Sequence, residues 1–188
     1  MQIVTPPGTA AFAYVFRPQK AMQEGKEDQY SLTLLWDKDD PRLKKLKDAI
    51  VKVATARFGA KAAQMLEKGQ LRNPLRPGDD RDDPDFHGKV FLTARSTERP
   101  QVVDRDAEPL MDSFEFYSGC RARMDIYLFA YDKAGNRGVS AILNSVQKLG
   151  DGERKSGRRS AAEAFADDPE DDNDDLLFRA LTMAQMFG

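Results

Sequence analysis

The chain has one cysteine, Cys120, and one histidine, His87, in 188 residues. A single thiol excludes an internal disulfide framework and fits a reducing compartment. One thiol and one imidazole cannot assemble a zinc site of Cys and His ligands. No apolar run approaches the roughly 18 residues needed to span a bilayer. The opening "MQIVTPPGTAAF" lacks the basic and apolar regions of a secretory signal, so the expected compartment is the cytoplasm. No internal repeat is visible. What is present is 40% hydrophobic and 32% charged, with a mean hydropathy of -0.62. That balance suits one globular domain with an appendage.

The formal net charge of -2 hides an asymmetry. The block "DDPEDDNDDLLF" at 167–178 gathers seven acids in its first nine residues: Asp167, Asp168, Glu170, Asp171, Asp172, Asp174 and Asp175. Residues 167–188 hold one basic residue, Arg179; removing these from totals of 29 basic and 31 acidic leaves 28 and 24 in residues 1–166. The body therefore carries +4, and the tail reverses its sign. A carboxylate run is ordinarily a solvated tail. It gains a second meaning if the body presents a basic surface for it to answer.

Residues 10–16, "AAFAYVF", and 29–36, "QYSLTLLW", have the aromatic and β-branched content of strands, separated by a polar loop. A helical insertion is expected over about 40–68: Asp40 as N-cap, Pro41 in the first turn, Gly59 as the stop. Leu43, Leu46, Ile50, Val53 and Ala54 share one face; Lys44, Lys45, Lys47 and Lys52 surround it as a solvated face. "AKAAQMLEK" reads as a second short helix, and residues 72–88 as a Pro/Gly/Asp loop. "KVFLTAR" at 89–95 alternates as a strand, "RPQVVD" suggests a short one, and 119–149 reads as two long strands joined at "DKAGNRG". The expected fold is mainly β, of mixed α+β character: a small barrel with one helical insertion.

Strand 120–131 carries the most information. Successive side chains face opposite sides. Cys120, Ala122, Met124, Ile126, Leu128 and Ala130 form an apolar face that must be core. Arg121, Arg123, Asp125, Tyr127, Phe129 and Tyr131 form the other. Lys89, Phe91, Thr93 and Arg95 oppose Val90, Leu92 and Ala94 in the same way; in 11–16 the aromatic side, Phe12, Tyr14 and Phe16, is either face. Cations interleaved with flat rings suit single-stranded nucleic acid, because charge neutralises phosphate while rings stack on unpaired bases. The competing reading is a second small core with the inserted helix covering the aromatics.

"FYSGCRARMDIYLFAYDKAGNRGVSAILNSVQKLGDGER", with "NPLRPGD" and "RPQVVD" upstream, resembles the bacteriophage single-stranded DNA-binding protein family over most of residues 1–155. The resemblance implies a five-stranded oligonucleotide-binding (OB) barrel that coats single-stranded DNA in phage replication and recombination. It also implies an acidic tail that occupies the DNA groove and recruits replication partners. Such tails commonly end on an aromatic residue; here Phe178 precedes further residues in which Leu176, Leu177, Ala180, Leu181 and Ala184 have the spacing of a short docking helix.

Other motifs weigh less. "GERKSGRR" has two glycines at phosphate-loop separation but lacks the Lys and Ser/Thr that must follow. Asp79, Asp80, Asp82, Asp83 and Asp85 suggest a metal-dependent nuclease, yet they share one flexible loop and lack the glycine of a calcium loop. His87 and Cys120 read as structural, Cys120 as buried and inert. The expectation is thus a non-enzymatic single-stranded DNA-binding protein without metal or cofactor. Residues 1–155 would form the barrel, and 156–188 a basic linker and acidic tail. Lys89, Arg95, Arg121 and Arg123 would meet phosphate, and Phe91, Tyr127, Phe129 and Tyr131 would meet bases. Lys148, Arg154, Lys155, Arg158 and Arg159 would add a mobile basic arm. A nuclease and a protein-interaction adaptor are the rival readings, and a homodimer stays open.

Overall fold

The structure, a computed structural model, describes residues 1–21 and 25–155. The acidic block Asp167–Asp175, Phe178, Arg158 and Arg159 lie outside the described residues. In chain order the elements are β1 Gln2–Val4, β2 Gly8–Gln19, β3 Gln29–Asp37, α1 Lys44–Phe58 and α2 Ala62–Glu67, followed by β4 Leu75–Pro77, β5 Lys89–Ser96, β6 Gln101–Val103, β7 Arg121–Lys133 and β8 Asn136–Gly150. β2 pairs with β3, β3 with β5, β5 with β8, β8 with β7, and β7 returns to β2, which closes a ring of five. Every pair in the ring is antiparallel except β5 with β8. This is an OB-type barrel.

Alternation along β7 builds the core. Ala122, Met124, Ile126 and Leu128 are no more than 1% exposed, and Val139, Ala141, Leu143 and Val146 of β8 meet them inside. β3 contributes Leu32, Leu34 and Trp36 on the same side. The insertion sits between β3 and β5 and presents Leu43, Leu46, Ile50 and Ala54 to the core, with Val53 partly buried against it. Asp40 accepts from the backbone N–H of Arg42, but the turn it caps is a 3-10 turn, Pro41–Leu43, and the α-helix follows at Lys44. Gly59, at φ 83, ends α1 in the left-handed region that favours glycine.

Parity fails on β2. Its pairing with β3 shifts between Ala11 and Tyr14, and Phe12 takes a φ of 48. A bulge adds one residue and reverses the facing beyond it. Phe12 and Tyr14 are exposed, whereas Phe16 packs partly buried against the main core. The three aromatics therefore do not share one face. β2 also runs to Gln19, through residues whose polar character suggested a loop. β1 and β4 are short strands the composition did not mark.

After β8 the chain folds back over the start of β7. The backbone N–H of Lys155 donates to Ser118 O, and Tyr117 Oη donates to Asp151 at 2.9 Å. The two backbones cross at Gly119 and Gly152, where a Cβ on either would strike the backbone of the other segment. Gly119 also has a φ of 111. Gly119→Ala should lower unfolding free energy by roughly 1–3 kcal/mol, since both strain and overlap oppose it. Gly150→Ala, with nothing near its Cβ, should stay within about 0.5 kcal/mol. Urea unfolding of the two variants checks the contrast.

Candidate nucleic-acid interface

The outward face of β7 keeps the facing its alternation requires: Arg121, Arg123 and Tyr127 are exposed, while Asp125, Phe129 and Tyr131 are half-buried. The Phe129 and Tyr131 rings lie 6.4 Å apart and tilted. Arg123 Nε donates to Gln147 Oε1 at 2.7 Å, which holds its guanidinium along the sheet. The register places Ser31 opposite Arg95, Arg95 opposite Ile142, and Ile142 opposite Tyr127. One row thus crosses four strands with a cation, an apolar side chain and a ring in sequence. Arg95 is exposed and Ile142 and Tyr127 are 40% and 46% exposed, so the row opens to solvent beyond the buried Ser31.

A second centre lies on β4, β5 and the loop between them. Arg81 stands over three rings, 4.7 Å from Phe86, 5.2 Å from Phe91 and 5.5 Å from Phe12. Arg76 stands 4.8 Å from Phe91. Phe12 stacks on Phe86 at 5.9 Å, and Phe86 meets Phe91 edge-on at 5.1 Å. The Arg76 guanidinium is held below its ordinary value, first by burial and then by repulsion from Arg81, Arg95 and Arg72. Among the described residues none of these four arginines has a carboxylate within 4.0 Å. Two cations thus stand over the ring cluster, and two more lie near enough to Arg76 to repel it.

The loop that supplies Arg81 is fixed by its own aspartates and histidine. Asp79 accepts from the Gly88 N–H at 2.6 Å, and Asp83 accepts from the Asp85 N–H at 3.0 Å. His87 Nε2, 2.9 Å from the Arg81 carbonyl, donates to it. These groups shape the loop, and no set of three or more His, Cys, Asp or Glu side chains converges as a metal site among the described residues. Cys120 is buried, and burial pushes its thiol pKa up.

Phe91 departs from its expected role. It is 2% exposed, enclosed by Leu35, Phe86 and Ala11, so its ring is not presented to a base. Alternation told which side of β5 it faces; the loop folding back over that side buried it. The second small core exists, but it sits on β5 under the loop and leaves the β7 aromatics uncovered. Lys89 pairs with Asp37 at 2.9 Å. Lys148 pairs with Asp151 at 2.7 Å and lies over Tyr117, Arg154 packs 4.1 Å from the Tyr117 ring, and Lys155 pairs with Asp85. The basic arm, expected to be mobile, is pinned as far as Lys155. Arg72, Arg76 and Arg81 escaped notice because four neighbouring aspartates cancel them in any charge count over 72–83.

The family described as "Enterobacter phage Enc34, ssDNA-binding protein" matches residues 1–177. The chain belongs to that family. A protein of Acyrthosiphon pisum secondary endosymbiont phage 1, p50, is 29% identical over 163 residues, covering 84% of this chain and 88% of its relative. The barrel is similar to the single-stranded DNA-binding protein of bacteriophage Enc34 in complex with ssDNA, with a TM-score of 0.66 and 23% identity over 82% of this chain and 89% of that one. It is also similar to gp2.5, a single-stranded DNA-binding protein of bacteriophage T7, with a TM-score of 0.59 and 17% identity over 91% and 96% of the two chains. In this member of the phage family, Phe91→Ala should cost about 3–5 kcal/mol of stability, as removal of a buried ring does. Tyr127→Ala should cost less than about 1 kcal/mol, because its ring is half in solvent. Urea midpoints of both variants separate the buried ring from the displayed one.

Proposed function

We propose that the chain coats single-stranded DNA in phage replication and recombination, without catalytic activity, in the cytoplasm of the infected cell. The observation that carries this reading is the cluster of Arg72, Arg76, Arg81 and Arg95, which lacks a carboxylate partner within 4.0 Å among the described residues. Mutually repelling guanidiniums are relieved by an anion, and a phosphate chain supplies one per nucleotide. Next to them Tyr127, Phe129 and Tyr131 offer rings on which unpaired bases stack at roughly 1–3 kcal/mol each. Duplex DNA has no free base faces for those rings. Arg121 and Arg123 extend the phosphate contacts along β7; Lys89, Lys148, Arg154 and Lys155 contribute only where DNA displaces their present partners. Family membership and the similarity to a relative bound to ssDNA support the same reading.

The acidic block belongs to it. Seven carboxylates tethered to the barrel by a linker compete with DNA for the arginine face at an effective concentration on the order of millimolar. The apolar residues that follow, Leu176, Leu177, Phe178 and Leu181, recruit replication partners. Residues 1–155 act as the DNA-binding domain and 156–188 as linker and regulator.

Binding to single-stranded oligonucleotides should weaken with salt, log K falling by about 0.7 per phosphate contact against log salt, and should exceed binding to duplex. Arg76→Ala should reduce that slope by a fraction of a unit, while Phe129→Ala should weaken binding with the slope unchanged. Equal affinity for duplex, or a flat salt response, would sink the assignment. Converting the seven acids to their amides should tighten DNA binding at low salt and have little effect at high salt, where screening already weakens the tail. Matched fluorescence titrations of both forms read this; identical affinities at low salt would leave the block a solubilising appendage.

A further inference from the structure

We infer that the groove between β1 and α1 receives residues 108–115 of a second copy of this chain. The groove has a volume of about 1130 Å³; none of Arg72, Arg76, Arg81 and Arg95 lines it, and it reaches the outward face of β7 at Asp125. Met1, Ile3, Val4 and Ala49 line its apolar part, together with Lys45 and Lys52 of α1; of its two carboxylates, Asp48 pairs with Lys44 and Asp125 accepts from Gln2. Among the described residues neither lysine has a carboxylate within 4.0 Å. β1 ends the sheet, paired with β7 on one side only. Met1 and Leu128 exchange backbone hydrogen bonds at 2.7 and 2.8 Å, and Thr5 N–H donates to Met124 O at 2.9 Å. Alternation in an antiparallel pair then turns the N–H and C=O groups of Gln2 and Val4 away from β7, toward the free edge. The groove thus offers apolar surface, a strand edge and unpaired positive charge, but no aromatic ring for a base.

Residues 108–115 have the complementary chemistry. Met111 and Phe114 are each 74% exposed, the largest exposure among the large apolar side chains described. They project from a segment held on both sides. Leu110 N–H donates to Val102 O at 2.8 Å, Phe114 N–H donates to Asp112 Oδ1 at 2.8 Å, and Phe116 is 2% exposed. Arg154 also donates to the Phe114 carbonyl at 3.0 Å. Because the backbone is already ordered, little conformational entropy is lost on docking. Glu108, Asp112 and Glu115 flank the two apolar side chains with negative charge, which suits lysines and repels nucleic acid. The two surfaces come from different elements, so the contact is heterologous and one pairing leaves a free groove and a free segment at its ends. The proposal does not depend on DNA binding and is tested without DNA.

Sedimentation velocity of the full-length protein at low salt should show a weight-average mass that rises with concentration above the 21.1 kDa of one chain. The double variants Lys45→Glu/Lys52→Glu and Glu108→Lys/Glu115→Lys should each weaken self-association on the order of tenfold or more, since like charges then face each other. Mixing the two should restore it, because each then meets the opposite sign. Phe114→Ala should also weaken association while leaving the thermal unfolding midpoint of the monomer in place. A mass that stays at one chain, a closed dimer of fixed mass, or association unmoved by either charge reversal would overturn the proposal.

Discussion

Closure of the barrel between β5 and β8 rests on the pairing of Arg95 with Ile142, the one register at which these parallel strands meet. Beyond it they diverge, and residues 71–77 fill the opening. Arg72 bridges to Gly138 on the β8 side, and Leu75–Pro77 pair with β5 on the other. Leu71 and Leu75 go inward, 1% and 8% exposed, because the gap must be sealed with apolar volume. Their neighbours Arg72 and Arg76 are exposed on the surface as a result. The same wedge that completes the core thus builds the cationic face. Core and candidate site cannot be altered independently there.

The arginine cluster gathers like charge in one place. Partial desolvation beside the Phe91 ring and three neighbouring guanidiniums both oppose the charge on Arg76. The cation–ring contacts of Arg76 and Arg81 offset part of this, at about 0.5–2 kcal/mol each. Any polyanion that binds the folded form and neutralises the cluster stabilises the fold by mass action. Ligand and fold are therefore thermodynamically linked through the same side chains.

Much of the barrel was legible in the sequence. The inner and outer faces of β7 followed from alternation alone, because both register shifts in its pairing with β8, after Arg121 and after Asp125, skip a residue of β8 (Leu149 and Asn144) and none of β7. Asp40, Pro41 and Gly59 bounded the insertion closely, since caps act locally. What failed was non-local. Nothing in "AAFAYVF" announces that Phe12 adopts a left-handed backbone, and nothing in "KVFLTAR" tells that a preceding loop returns to cover Phe91. Likewise Arg72, Arg76 and Arg81 gain meaning only once the loop carries them beside Arg95, while two of the aspartates that mask them in sequence, Asp79 and Asp83, turn to local backbone bonds.

The barrel's connectivity also dictates the order in which it comes into being. Met1 bonds to Leu128, 127 residues later, and the closing partner of Arg95 is Ile142. While the chain is being synthesised, β2, β3, α1 and β5 emerge with their inner faces open, since both walls that complete the ring, β7 and β8, come last. Such distant pairings make for slow closure and for apolar surface left uncovered in the meantime. The ring therefore cannot close until nearly all of the first 150 residues have left the ribosome.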